Sequence, residues 1–189
     1  ACLNLDQLRA IAKELEGTTC WVLADEIYEQ LYYASDEMAT DSHTSFAAVS
    51  EDAYARTVII NGFSKAYAMT GSRMGYLAAP QAVAAACAKI QGQITSCASS
   101  RSQAAAIAAL DLPQDALFPQ ITEFKRRRDY VLSRLESIAL STNYLKSPPP
   151  PEGAFYLLPD ISATFASKVA DRHITDSTAF CAALLESRK

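Results

Sequence analysis

The chain has 189 residues, 50% of them hydrophobic and 20% charged, with a formal net charge of −4. That is enough chain for a domain with its own core, and the balance excludes the disordered and membrane-embedded classes. No apolar run is long enough to cross a bilayer, and the one basic run, Lys125-Arg126-Arg127-Arg128, is short and sits in a helical pattern, so it reads as a solvated helix face and not as a nucleic-acid patch.

The first element in the chain is a helix. Asn4 is placed to cap it, Gln7 stands three residues on in capping-box position, and Leu5, Leu8, Ile11, Ala12 and Leu15 recur at helical spacing before Gly17 ends the run. Cys20-Trp21-Val22-Leu23-Ala24 is short and continuously apolar, the pattern of a strand buried on both faces in a parallel sheet, and it stops at Asp25-Glu26. Residues 34–52 are polar and read as a surface loop. Thr57-Val58-Ile59-Ile60 predicts a second buried strand running into Asn61-Gly62-Phe63-Ser64-Lys65, and a third is expected over 74–79, closed by Pro80. Strands separated by helix-length segments argue for an α/β sheet.

Further on, Val83, Cys87, Ile90 and Ile94 mark one face of a helix, and a second helix is expected over 102–110. Pro113 separates these from a long helical pattern over 116–138, where Pro119 suits a first turn. Ser147-Pro148-Pro149-Pro150-Pro151 reads as a stiff extended segment. Gly153-Ala154-Phe155-Tyr156-Leu157-Leu158 reads as a strand, and a last helix begins near Asp176 or Ser177. The five cysteines are odd in number and scattered, with no Cys-x-x-Cys pair and only His43 and His173 as histidines, so no metal site is expected and the thiols suit a reducing compartment. No signal peptide is visible in Ala1-Cys2-Leu3-Asn4. A cytoplasmic location is expected, or a plastid if a transit peptide has been removed.

Three features with chemistry fall near predicted strand ends: Asp25 with Tyr28 three residues on, Ser64-Lys65, and Arg73 followed by Gly75-Tyr76. In open α/β sheets ligands bind beyond the carboxyl ends of the strands, so one ligand could meet all three. Taken singly, each has a plain reading: a turn former, a core aromatic, a solvated lysine, a surface arginine. The combination and its wording carry the argument.

Asp25-Glu26-Ile27-Tyr28, the run Asn61-Gly62-Phe63-Ser64-Lys65-Ala66-Tyr67-Ala68-Met69-Thr70-Gly71-Ser72-Arg73-Met74-Gly75-Tyr76, and Gly153-Ala154-Phe155-Tyr156 together resemble the class I and II aminotransferases, in wording most like the bacterial-type aspartate or prephenate enzymes. The resemblance implies a fold-type I α/β architecture, incomplete here. Residues 1–112 would be part of a large cofactor domain with a mostly parallel sheet between helices. Residues 113–140 would be a linking helix, and 141–189 part of a smaller α+β C-terminal domain. It implies pyridoxal 5'-phosphate as cofactor and amino-acid and 2-oxo-acid substrates, aspartate among the donors. It also implies a homodimer when full length, with no nucleic-acid or membrane partner.

By the same resemblance, Lys65 is the Schiff-base lysine and proton shuttle, Asp25 faces the pyridine nitrogen, and Tyr28 hydrogen-bonds the ring's phenolic oxygen. Arg73 and Ser64 hold the phosphate. The sequence departs from the family at Ser72, where a tryptophan is usual. Family members are roughly twice this length, and the isolated chain is expected to be inactive and to leave an open sheet edge and an uncovered apolar face. Arg188 matches no family motif and receives no role. The alternative is a truncated, non-catalytic aminotransferase-derived subunit with a structural or interaction role.

Overall fold

A computed structural model of the chain describes residues 2–33, 43–169 and 172–187. Part of the predicted loop, residues 34–42, and Arg188 lie outside the described residues, as do residues 170–171. The chain divides into two compact units, Ala1–Ile121 with Glu152–Ala154, and Thr122–Pro151 with Phe155–Lys189.

The first unit begins with α1 (Leu5–Leu15). Its N-terminus is the reciprocal capping box expected from sequence: the Asn4 side chain accepts from the Gln7 backbone N–H at 2.9 Å, and the Gln7 side chain accepts from the Asn4 N–H at 2.9 Å. Leu8 and Ala12 turn inward and join Phe46 and Ala53 in a buried cluster, with Leu15, Val22 and Val49 packed around it. Gly17 (φ +72°) takes the left-handed conformation that ends the helix.

The sheet of this unit has the order β1-β2-β3, from β1 (Val22–Asp25), β2 (Thr57–Gly62) and β3 (Gly75–Ala78). β1 and β2 are parallel, with Asp25 opposite Ile60. β3 returns antiparallel to β2, with Gly62 opposite Gly75. The sheet is therefore mixed, and the segment 63–74 is the connection that leaves β2 and re-enters as β3.

Two expectations need correction here. The first strand is not buried on both faces: its residues alternate between half-buried and exposed, and Leu23 is 72% exposed. A continuous apolar run does not say which face is covered, and here only one is. The predicted loop over 34–52 is also not all loop. A 3₁₀ turn, Phe46–Ala48, and α2 (Glu51–Arg56) occupy its end, with Ser50 as N-cap accepting from the Ala53 N–H at 3.1 Å. Arg56 ties α2 to the α1–β1 connection, donating to the carbonyls of Thr18 (3.1 Å) and Cys20 (3.0 Å) and pairing with Asp52 (2.6 Å).

After β3 come α3 (Gln81–Ile94) and α4 (Ser100–Leu110). The predicted apolar stripe of α3 is open, with Ile90 59% and Ile94 71% exposed. α4 is anchored by Ala106 and Ala109, which pack against Phe63 in a second buried cluster with Tyr67, Met69 and Met74 at its margin. These are the residues of the β2–β3 connection, so α4 backs that connection.

The long helix α5 (Phe118–Thr142) carries Pro119 in its first turn, where the missing N–H costs nothing. The basic run lies on α5 and is internally paired. Arg126 and Arg127 both reach Glu123 at 2.7 Å, Lys125 lies 3.6 Å from Asp129, and Arg128 pairs with Asp129 at 2.7 Å. The second unit ends with a short antiparallel pair, β4 (Lys168–Val169) and β5 (Arg172–His173), and α6 (Ser177–Glu186), capped by Asp176 accepting from the Ala179 N–H at 2.8 Å. Ile174 between them is fully buried.

The predicted strand 153–158 does not form. Only Gly153 makes a bridge, to Tyr32, and Ala154 (φ +58°) bends the chain out of extension. Residues 152–154 are instead clasped to the segment after β1. Tyr33 N–H donates to the Glu152 carbonyl at 2.7 Å, Ala154 N–H to that of Leu31 at 2.8 Å, and the Tyr33 hydroxyl to the Ala154 carbonyl. Within the second unit, Phe155 stacks on Phe124 with ring centroids 5.5 Å apart.

Candidate active site

The site residues converge because of strand topology. β1 and β2 run parallel and side by side, so Asp25 and the residues after Gly62 leave the sheet at the same, carboxyl edge. The antiparallel return of β3 starts at that edge too, which keeps both ends of the 63–74 connection there.

Asp25 closes β1 and is exposed. Its Oδ1 accepts from the Ile27 N–H at 3.3 Å, a side-chain-mimicked turn that redirects the chain immediately after the strand. Tyr28 follows, half-buried, its carbonyl accepting from Leu31 N–H at 2.8 Å. Glu26 is buried and held by the Ser45 hydroxyl at 2.7 Å.

The lysine segment is a tight, cross-braced turn. Phe63 N–H donates to the Met74 carbonyl (3.3 Å), Met69 N–H to that of Phe63 (3.2 Å), and Ala68 N–H to that of Lys65 (3.2 Å). Phe63 and Ala66 point into the core and are 4% and 3% exposed, which leaves Ser64 and Lys65 half-buried between them. Gln120, from the first turn of α5, donates its Nε2 to the Lys65 carbonyl at 3.4 Å. Lys65 Nζ lies 5.7 Å from the centre of the Tyr28 ring, within cation–π range. Thus Lys65 and Tyr28, 37 positions apart in sequence, are brought together.

Arg73 is placed differently. It is exposed and lies in the left-handed region (φ +50°, ψ +45°), a conformation that costs a non-glycine residue about 1–3 kcal/mol and persists only where its surroundings impose it. Its Nη1 donates to the Thr70 carbonyl at 3.0 Å, so the guanidinium is turned onto its own connection. Ser72, where the resemblance leads to the expectation of a tryptophan, is half-buried, and its carbonyl accepts the Ser102 hydroxyl of α4 at 2.7 Å.

Glycines make the edge close-packed. A Cβ on Gly62 would lie 2.9 Å from the Met74 carbonyl oxygen and 3.0 Å from Gly75 Cα, and one on Gly75 would lie 3.1 Å from the Asn61 carbonyl. The phenols beside the edge feel its acids and its burial. Partial burial first, then the Glu29 carboxylate, pushes the Tyr67 hydroxyl above its ordinary value, and the same pair of causes raises Tyr76. Sequence reasoning did not find Ser102, Gln120 or the grouping of Glu26, Glu29 and His43, whose ligand-capable atoms lie within 4.8 Å of one another. Local sequence carries no signal for Ser102, Gln120 or His43, each brought in from a distant segment; Glu26 and Glu29 stand beside Asp25 and Tyr28 in sequence, and only the fold adds His43 to them. All five cysteines are free thiols, and among the described residues no helix is long and apolar enough to cross a membrane.

Comparison with known proteins places the chain. The family "Aminotransferase class I and II" matches residues 1–189. Aspartate aminotransferase of Pinus pinaster is 43% identical over 169 residues, covering 87% of this chain and 32% of that protein. An aspartate/prephenate aminotransferase of Cereibacter sphaeroides is 41% identical over 167 residues, covering 88% of this chain and 39% of that protein. The crystal structure of aspartate aminotransferase from Rhizobium meliloti superposes with a TM-score of 0.83 at 35% identity, over 98% of this chain and 44% of that one. The chain thus spans 32–44% of the length of these relatives, and its mixed α/β sheet corresponds to part of their large domain. It is a member of the class I and II aminotransferases, with the fold-type I architecture of that family.

Proposed function

We propose that this chain carries the cofactor-anchoring part of a pyridoxal-phosphate-dependent aminotransferase, which moves an amino group between an amino acid such as aspartate and a 2-oxo acid and works as a homodimer. In this reading residues 1–112 belong to the cofactor domain, 113–140 to the linking helix and 141–189 to the small domain. The observation that carries the reading is the shared carboxyl edge of β1 and β2, where Asp25 ends one strand and Lys65 follows the other, its Nζ 5.7 Å from the Tyr28 ring.

The donor set fits the cofactor. An amine, a carboxylate, a phenol, a hydroxyl and a guanidinium at one sheet edge match an aldehyde, a basic ring nitrogen, a phenolic oxygen and a phosphate. When bound, pyridoxal phosphate supplies an electron sink for the electrons left at the substrate alpha carbon. Lys65 Nζ would anchor the aldehyde carbon and, as a free amine, take up the alpha proton. The Asp25 carboxylate would hold a proton on the ring nitrogen, and the Tyr28 hydroxyl would donate to the ring oxygen. Ser64 Oγ and the Arg73 guanidinium would bind the phosphate, the latter after leaving the Thr70 carbonyl.

The test is borohydride reduction of the chain mixed with pyridoxal phosphate, followed by peptide mass mapping. A single label on Lys65, lost in Lys65→Ala, supports the reading. Label scattered over Lys13, Lys89, Lys125 and Lys146 sinks it. The exposed apolar face at Leu23 would then favour a non-catalytic docking role.

A further inference from the structure

We propose that Ser102 is a positioning residue for Arg73, setting the direction in which that guanidinium is presented. The inference rests on the reading of Arg73 as the phosphate-binding group. The Ser102 hydroxyl reaches across from the first turn of α4 and donates to the Ser72 carbonyl at 2.7 Å. That carbonyl belongs to the peptide unit that joins Ser72 to Arg73, so its orientation fixes both ψ of Ser72 and φ of Arg73. Arg73 sits at φ +50°, ψ +45°, a well that a side-chain-bearing residue leaves unless something holds it there.

The turn is also braced by Ser72 N–H to the Met69 carbonyl at 3.1 Å, Phe63 N–H to the Met74 carbonyl at 3.3 Å and Arg73 Nη1 to the Thr70 carbonyl at 3.0 Å. None of these three engages the Ser72–Arg73 peptide unit itself. Ser102 does, and it is itself well anchored. α4 is fixed four and seven residues later by Ala106 and Ala109, packed on Phe63 beneath the connection. Ser72 is small, so the helix can approach its carbonyl closely enough for a serine hydroxyl to span the gap. Removing the hydroxyl frees the peptide to rotate, Arg73 relaxes to an ordinary backbone region, and its guanidinium swings off the direction the phosphate requires.

The experiment titrates the 189-residue chain and its variants with pyridoxal phosphate and with pyridoxal, which lacks the phosphate, following the visible absorbance of the bound ligand. Ser102→Ala should weaken pyridoxal phosphate about two- to tenfold, the worth of one hydrogen bond, and leave pyridoxal unchanged. Ser102→Thr should restore the wild-type ratio, and Ser102→Cys, with its weaker donor, should fall between. In an Arg73→Ala background, Ser102→Ala should have no further effect. Equal weakening of both ligands, or of neither, overturns the positioning role, because a merely structural defect does not discriminate by phosphate. If Arg73→Ala itself leaves the ratio of the two affinities at the wild-type value, the phosphate reading of Arg73 fails and the role of Ser102 falls with it. If Arg73→Ala shifts the ratio and Ser102→Ala does not, only the positioning inference is lost.

Discussion

Adding one methyl group at Gly62 tests the close-packed edge directly. The Cβ of Gly62→Ala would lie 2.9 Å from the Met74 carbonyl oxygen, 3.0 Å from Gly75 Cα and 3.3 Å from Ile27 Cδ1. The first contact is about half an ångström short of the 3.4 Å at which ordinary contact begins. Two of the three obstructing atoms are backbone and cannot rotate away, so β3 must move off β2. Forcing a methyl group into a packed site of this kind costs about 1–3 kcal/mol, or roughly 2–12 °C in Tm for a chain of this size. The same movement should reduce the labelling of Lys65 by pyridoxal phosphate, because the connection bearing Lys65 and Arg73 hangs from these two strands. The control is the same substitution at Gly92, which lies inside α3 with nothing within 4 Å of its added Cβ. There alanine removes the backbone-entropy penalty of glycine and should stabilise by about 0.5–1 kcal/mol. Urea denaturation read by circular dichroism measures both variants. If Gly62→Ala is as stable as Gly92→Ala, the close approach of β2 and β3 is not what the edge depends on, and the argument fails.

Asn4→Ala removes half of the capping box of α1 and should lower stability by about 1 kcal/mol, read as a shift in urea midpoint; no shift would mean that α1 is held by Leu8 and Ala12 alone. Ile174→Ala empties a fully buried position of the second unit and should cost about 2–5 kcal/mol, against which a loss below 1 kcal/mol would show that the site collapses freely. Asp176 is held below the usual carboxylate range, chiefly by the Ala179 N–H it accepts. Its folded pKa is depressed, so its stabilisation is present above the ordinary aspartate value and is lost as the pH falls through the lowered one. Acid should therefore fray α6 in the wild type. Asp176→Asn keeps an acceptor at the cap and removes the titration, so its helicity should be flat over the same pH range. An acid transition of equal size in both proteins would assign the fraying to another group.

Periodicity and local chemistry were enough to place the longer helices, though not α2, which begins inside the segment read as loop. The Asn4–Gln7 box, the first-turn Pro119 and the Asp176 cap are all contacts among residues three or four positions apart, which sequence spacing encodes directly. The strand ends were legible as well, because Asp25 and Lys65 each follow a short apolar run. What sequence could not say was which side of a strand is covered. The run around Leu23 is apolar throughout, yet burial depends on what packs above it, and Leu23 lies open.

The segment 153–158 failed as a strand for a related reason. Its pattern is extended, but extension needs a partner along its length, and only Gly153 finds one. The same division holds at the candidate site. The amino-acid sequence by itself determined which groups the site contains: amine, carboxylate, phenol and guanidinium, in recognisable wording. Only the tertiary structure decided their arrangement. Parallel pairing of β1 with β2 put Asp25 and Lys65 on one edge, and α4 brought Ser102 to the Ser72 carbonyl from 30 residues away. Such a contact is set by how helix and sheet pack against a shared core, and no local spacing along the chain records it.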